Sequence, residues 1–288
     1  MDISDTSKIE ARLERIAEAL EIMTGTSSIQ TPQWDGSDKF IWESKLKSFR
    51  PVMTSGTATP LSMLVGINEQ IDTVTQNTLQ FAQGYPANNV LLWGARGMGK
   101  SACVKAVQDK VRHEHNLPLI LIEIGRDDLT DIPLILEKLW EEQDWRFILF
   151  CDDMSFEKGD ETYKSLKAVL DGGIGARPPN VVFYTTSNRR HLMPSEGDET
   201  GHLQIQEGRH ERLSISDRFG LWVGFHPCTQ EQYLEMIDRY INEYNLPVNR
   251  DEAHDKALKW EKQRGSRSGR TAWHFILDLA GRLGVKIY

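Results

Sequence analysis

The chain has 288 residues, 39% apolar and 26% charged, enough for a full hydrophobic core and about two domains. Its formal net charge of -8 argues against broad, non-specific attraction to nucleic-acid backbones or anionic membranes. The cysteines are 3 in number and far apart, without C-x-x-C spacing. That excludes a disulfide framework and reads as buried thiols in a reducing compartment.

The first segment, "MDISDTSKIEARLERIAEAL", places Ile9, Leu13, Ile16, Leu20 and Met23 at helical spacing, so residues 5–23 are expected to form an amphipathic helix. It is acidic and unlike a signal peptide, and no apolar run approaches the roughly eighteen residues of a membrane span. The expected location is the cytoplasm, with no membrane contact. "TGTSSIQTPQ" breaks the helix. "WDGSDKFIWESKLKSFRPVM" clusters aromatics that suit docking onto the next domain, without a clear secondary structure.

From Leu61 onward helices alternate with apolar runs. "INEQIDTVTQNTLQFAQG" reads as a helix, "NVLLW" as a strand and "SACVKAVQDKVRHE" as a helix. "LPLILIEI", "RFILFCDD" and "NVVFYTTSN" read as strands, separated by the helices "DIPLILEKLWEE" and "DETYKSLKAVLDGG". Near-continuous apolar strands between helices indicate a parallel sheet covered on both faces. "PSEGDETGHLQIQEGRHERL" is polar and loop-like, and "LWVGFHP" suits a last strand. Three helices are expected after it: 229–244, opened by the capping box Thr229-x-x-Gln232, then 251–264 and 270–283. The expected architecture is α/β, followed by a small helical unit. The boundaries fall at 1–58 (helix and docking segment), 59–227 (α/β) and 228–288 (helical).

Gly94-Ala95-Arg96-Gly97-Met98-Gly99-Lys100-Ser101 fits G-x-x-x-x-G-K-[ST] between a strand and a helix, with Ala102 continuing the helix. Glycines let backbone N–H groups turn around phosphate oxygens, and the helix N-terminus adds its dipole. Lys100 is placed for the β- and γ-phosphates, and the Ser101 hydroxyl for Mg²⁺. The strand "RFILFC" ends at Asp152 and Asp153. Asp152 suits the metal through water, and Asp153 suits the attacking water, with Glu157 a rival base. Asn188, ending "VVFYTTSN", can hydrogen-bond the γ-phosphate and the lytic water. "DEAH" at 251–254 follows "LPVNR", which cannot form a buried strand, and reads as an acidic helix start. His113 and His115, two apart on a helix, point to different sides and make no metal pair. "SNRRH" suits phosphate contact through Arg189 and Arg190 or a solvated loop equally well.

Glycine loop, metal strand and polar strand end in this order resemble an AAA+ ATPase, a P-loop NTPase fold with a helical lid. "PANNVLLWGARGMGKS", "RFILFCDDMSFEKGDETYKSLKAVLDGG", "TSNRRHLMP", "LSISDRFGLWVGF" and "RGSRSGRTA" are together similar to the bacterial AAA+ family called domain of unknown function 815, over roughly 34–283. "SDRFGLWV" and the paired aspartates also resemble replication initiators and helicase loaders. The resemblance implies that Arg218 is an arginine finger acting on a neighbouring subunit, and hence a homo-oligomer, ring or spiral. It implies that Arg270 senses nucleotide from the lid, with Arg264 and Arg267 as nearby alternatives. It also puts Leu64 to Ile67 beside the adenine. The implied cofactors are ATP and Mg²⁺; a protein or nucleic-acid client is not specified. "EIGRDDLTDI" lacks the aromatic loop that protein-unfolding relatives carry, which argues against an unfoldase.

Overall fold

The computed structural model describes residues 31–52, 59–156, 162–170, 177–190, 192 and 215–287, together with residue 12. Apart from residue 12, the helix expected over 5–23 lies outside the described residues, as do Glu157 and the polar stretch 194–213. Strands are β1 (Lys39–Glu43), β2 (Ser48–Pro51), β3 (Val90–Gly94), β4 (Leu119–Glu123), β5 (Arg146–Cys151), β6 (Val181–Ser187) and β7 (Leu221–Phe225). Helices are α1 (Asn68–Ala82), α2 (Lys100–His115), α3 (Ile132–Trp140), α4 (Thr162–Leu170), α5 (Gln230–Glu243), α6 (Arg250–Arg264) and α7 (Gly269–Leu283).

These strands form one sheet in the order β2-β1-β4-β5-β6-β3-β7. Only the β1–β2 pair is antiparallel. Side-chain alternation splits each apolar strand between two cores. Val90, Leu92, Leu121, Ile148, Phe150, Tyr184 and Val223 face α1, α2 and the C-terminal helices. Leu91, Ile120, Ile122, Phe147, Leu149 and Phe183 face the other side, with Ile135 and Leu139 of α3 and Leu166 of α4. Both faces are covered, which is why the strands read as unbroken apolar runs.

The aromatic segment near the N-terminus is a hairpin that extends this sheet: Phe40 of β1 lies opposite Ile122 of β4. Trp34 packs edge-on against Phe40 and Phe147, each with ring centroids 4.9 Å apart. Lys47, with φ 47°, closes the turn. The Asp131 carboxylate then ties the hairpin to the start of α3, accepting from the Trp42 indole at 3.0 Å, the Ser44 hydroxyl at 2.5 Å and the Lys47 ammonium at 2.7 Å.

The C-terminal helices begin on side-chain caps. Thr229 accepts from the Gln232 amide and the Gln232 side chain returns the bond, giving α5 its capping box. Asn249 caps α6 and Ser268 caps α7. "DEAH" is therefore the first turn of α6, and His254 bonds Asp238 at 2.8 Å. Among the described residues no helix is long and apolar enough to cross a membrane.

Candidate nucleotide-binding site

The carboxyl ends of β3, β5 and β6 open onto one side of the sheet, and α5 and α7 stand over it. Between them lies a cleft of about 940 Å³. Its floor is the loop from Arg96 to Ala102; its walls include Leu64, Val65 and Ile67 on one side, with Met236, Tyr240, Tyr244, Arg270 and Trp273 on the other. Asp152, Asp153, Thr186 and Asn188 line its inner end.

The loop's shape requires its glycines. Gly94 has φ 126°, and a Cβ there would meet the Phe225 carbonyl oxygen at 2.0 Å. Gly97 has φ 72°, and a Cβ there would meet the Ser268 hydroxyl at 2.9 Å. Gly99, at φ 88°, turns the chain into α2. The loop is thus wedged between β7 and the first turn of α7, where the Arg270 amide donates to the Gly97 carbonyl at 3.2 Å. Gly94 and Ala95 do not line the cleft: the Ala95 amide donates instead to Phe225 at 2.9 Å. Met98 is buried in the core, so its side chain anchors the loop.

Lys100 is only 7% exposed. Its ammonium donates to the Gly94 carbonyl at 2.8 Å, the Ala95 carbonyl at 2.9 Å and the Asn188 amide oxygen at 3.2 Å. Burial holds its pKa below the usual lysine range; Asp153 and Asp152 offset part of this, and Arg270 and Arg96 add to the lowering. An anion in the cleft removes that penalty by pairing the charge.

Asp152 and Asp153 follow β5 directly. The Ser101 and Thr186 hydroxyls each donate to Asp152 Oδ1 at 2.5 Å. Asp153 turns in the left-handed region, φ 52°, and the Asn188 amide donates to its carboxylate. One bonded line therefore joins Lys100, Asn188 and Asp153. The hydroxyl of Ser101 beside the carboxylate of Asp152 is a pair of hard oxygen donors suited to Mg²⁺, which usually keeps several waters. Among the described residues the protein donors to Asp152 converge on Oδ1.

Of the lid arginines, Arg270 lines the cleft. Arg267 pairs with Glu261 at 3.2 Å, and Arg264 lies over the Trp260 ring at 5.1 Å. Arg218 is not among the cleft-lining residues. It lies just before β7, at the end opposite Phe225, and its amide donates to Ile215 at 3.1 Å. Arg190 stacks over Trp93 at 5.3 Å.

Sequence reasoning missed Thr186 and the lid aromatics. Tyr240 and Tyr244 stack with centroids 6.4 Å apart, and Trp273 packs on Tyr240 at 5.2 Å. Met236, Tyr240 and Tyr244 recur every four residues, a pattern indistinguishable in sequence from an ordinary core stripe. For Thr186 the signal was two threonines in an apolar strand just before Asn188.

A mostly parallel sheet in this order, with a glycine loop after β3, aspartates after β5 and a helical lid, defines an AAA+ P-loop fold. The chain belongs to the family described as Protein of unknown function (DUF815), whose model matches residues 35–283. It is similar in structure to Aeropyrum pernix ORC1 solved in complex with DNA, at 15% identity and TM-score 0.54, covering 76% of this chain and 61% of that one. It is also similar to a chain of the HORMA:CdnC:Trip13 complex of E. coli MS115-1, at 12% identity and TM-score 0.51, covering 76% and 90%. The RuvB Holliday junction branch migration motor of Thermotoga maritima aligns at 14% identity and TM-score 0.45, covering 77% and 71%. No curated protein matches the chain in sequence.

Proposed function

We propose that the chain binds ATP in this cleft and hydrolyses it to ADP and phosphate with Mg²⁺, driving conformational change in an oligomer. The observation that carries the reading is the buried Lys100 ammonium, set on the floor of a glycine-built cradle with Ser101 and Asp152 beside it. Among the described residues the ammonium bonds two carbonyls and an amide oxygen, Asp152 and Asp153 offset only part of its burial, and a phosphate in the cleft would supply the paired charge it lacks.

In this reading the backbone amides of residues 97–101 bind the phosphates and Lys100 exchanges its carbonyl partners for phosphate oxygens. Mg²⁺, when bound, neutralises charge on the β- and γ-phosphates. Ser101 and Asp152 hold it, the latter through water. Asp153 and Asn188 orient the attacking water, and Asp153 takes its proton. Arg270 reaches the phosphates from the lid, while Leu64 to Ile67 and the lid aromatics enclose the base. The family resemblance makes Arg218 the finger that would act on a neighbouring copy's cleft, and its place outside the cleft of its own chain is consistent with that role.

A second reading, an ATP-controlled switch or loader with little intrinsic hydrolysis, draws on one observation. The Asp153 carboxylate is short and already engaged by Asn188. One structurally similar protein was solved with DNA and another within a protein complex, so the client of such a switch is a nucleic acid or a protein. Steady-state ATPase activity against protein concentration separates the readings. Rising specific activity, abolished in Arg218→Ala without loss of ATP binding, supports the assembling ATPase. Turnover no faster than in Lys100→Ala at every concentration, with ATP still bound, supports the switch.

A further inference from the structure

Thr186 is buried at 1% exposure on β6, on the same face as Tyr184 and two residues before Asn188. It holds the turn after β5 in three ways. Its hydroxyl donates to Asp152 Oδ1 at 2.5 Å and accepts from the Asp153 amide at 2.8 Å, and its backbone carbonyl accepts from the Met154 amide at 2.7 Å. The hydroxyl hydrogen is committed to Asp152, so this side chain has one arrangement. The same turn contains the left-handed Asp153, a conformation a non-glycine residue keeps only when its surroundings impose it.

We infer that Thr186 is the positioning residue of the metal site. It fixes the orientation of the Asp152 carboxylate that would hold the cation's water, and it fixes the turn that aims Asp153 at Asn188. This rests on the proposed nucleotide site. Ser101 also bonds Asp152 Oδ1, but a bound cation draws the Ser101 hydroxyl to itself. Thr186 is then the side-chain donor still gripping that oxygen, and the carboxylate's orientation in the loaded state depends on it.

The test uses the full chain with Thr186→Val, which keeps the shape and removes the hydroxyl, and Thr186→Ser, which restores it. ATP affinity is measured by calorimetry in EDTA and across a Mg²⁺ titration, and Mn²⁺ binding to the ATP complex by electron paramagnetic resonance. Thr186→Val is expected to bind ATP in EDTA as wild type does, while its half-saturating Mg²⁺ or Mn²⁺ rises about ten-fold. Thr186→Ser is expected to return to the wild-type metal requirement. An unchanged metal requirement in Thr186→Val overturns the inference alone, as does Thr186→Ser behaving like Thr186→Val. Equal loss of ATP affinity with and without metal also overturns it, since that marks a collapsed loop. Wild type that binds no ATP overturns the nucleotide reading itself, and this inference with it. Should Thr186→Val not fold, Thr186→Ala against Thr186→Ser carries the same comparison.

Discussion

Gly94 and Gly99 belong to one loop, yet the structure constrains them differently. At Gly94 the φ of 126° disfavours any L-residue, and an added methyl group would sit 2.0 Å from the Phe225 carbonyl oxygen. The strain at such a backbone costs roughly 1–3 kcal/mol. The clash cannot be relieved by a side-chain rotation, because the obstacle is backbone in the neighbouring strand. β7 must retreat, which breaks the Ala95–Phe225 bond of 2.9 Å. An amide left without a partner there costs about 1–3 kcal/mol more. Gly94→Ala is therefore expected to destabilise the chain by about 2–6 kcal/mol. At Gly99 the φ is 88°, but a methyl group would only touch Leu64 at 3.4 Å and Ile67 at 3.5 Å. Gly99→Ala is expected to cost about 1–3 kcal/mol, the strain without the clash and the lost bond. Urea unfolding followed by far-ultraviolet circular dichroism measures both. Thermal midpoints should drop by about 2 °C per kcal/mol in a chain of this size. Equal destabilisation of the two variants, or a Gly94→Ala protein as stable as wild type, would refute the reasoning from close approach.

Asp131→Ala should loosen the β1–β2 hairpin by about 3 kcal/mol, since it removes bonds from Trp42, Ser44 and Lys47 and leaves the buried indole N–H unpartnered. Burial pushes the Asp131 carboxyl up, but the bonds from Lys47, Ser44 and Trp42 and the charge of Lys47 outweigh it, so its pKa is lowered. A lowered folded-state pKa gives stability that is present above about pH 4 and lost as pH falls through the folded value. Wild type should thus lose stability more steeply than Asp131→Ala in acid, as read by unfolding midpoints between pH 5 and pH 2; parallel curves would contradict this. For the lid, Arg270→Ala should weaken ATP binding about ten-fold, the loss of one charge-assisted contact, with little change in stability. Arg267→Ala should do the reverse, lowering the unfolding midpoint by removing the Glu261 pair while leaving ATP affinity near wild type. Isothermal calorimetry beside thermal unfolding distinguishes these outcomes.

The central strands and the glycine loop were legible because their signals are local. β3, β4, β5 and β6 are apolar runs of 5–7 residues, and the loop's lysine and serine follow its glycines directly. The capping box that opens α5 and the acidic first turn that opens α6 were equally readable, because both signals are written within four residues of the helix start. The hairpin was not. Its residues alternate imperfectly, and its place beside β4 depends on Asp131, which is 84 residues from Lys47 in sequence. The same limit hid Thr186 and the lid aromatics. A threonine in a strand has many uses, and what singles this one out is a carboxylate 34 residues earlier. The choice among Arg264, Arg267 and Arg270 was open in sequence because all lie within one short stretch. It narrows once Trp260 and Glu261 are seen to engage the first two.

Every role proposed for the cleft depends on Lys100 sitting in a nucleoside triphosphate site. Calorimetric titration of the full chain with ATP and Mg²⁺, for wild type and Lys100→Ala, tests it most directly. The expected result is saturable binding to wild type at one ATP per chain and at least ten-fold weaker binding to Lys100→Ala, the loss of one charged phosphate contact. A wild-type chain that takes up no ATP at millimolar concentration, or a Lys100→Ala chain that binds it equally well, would contradict the account.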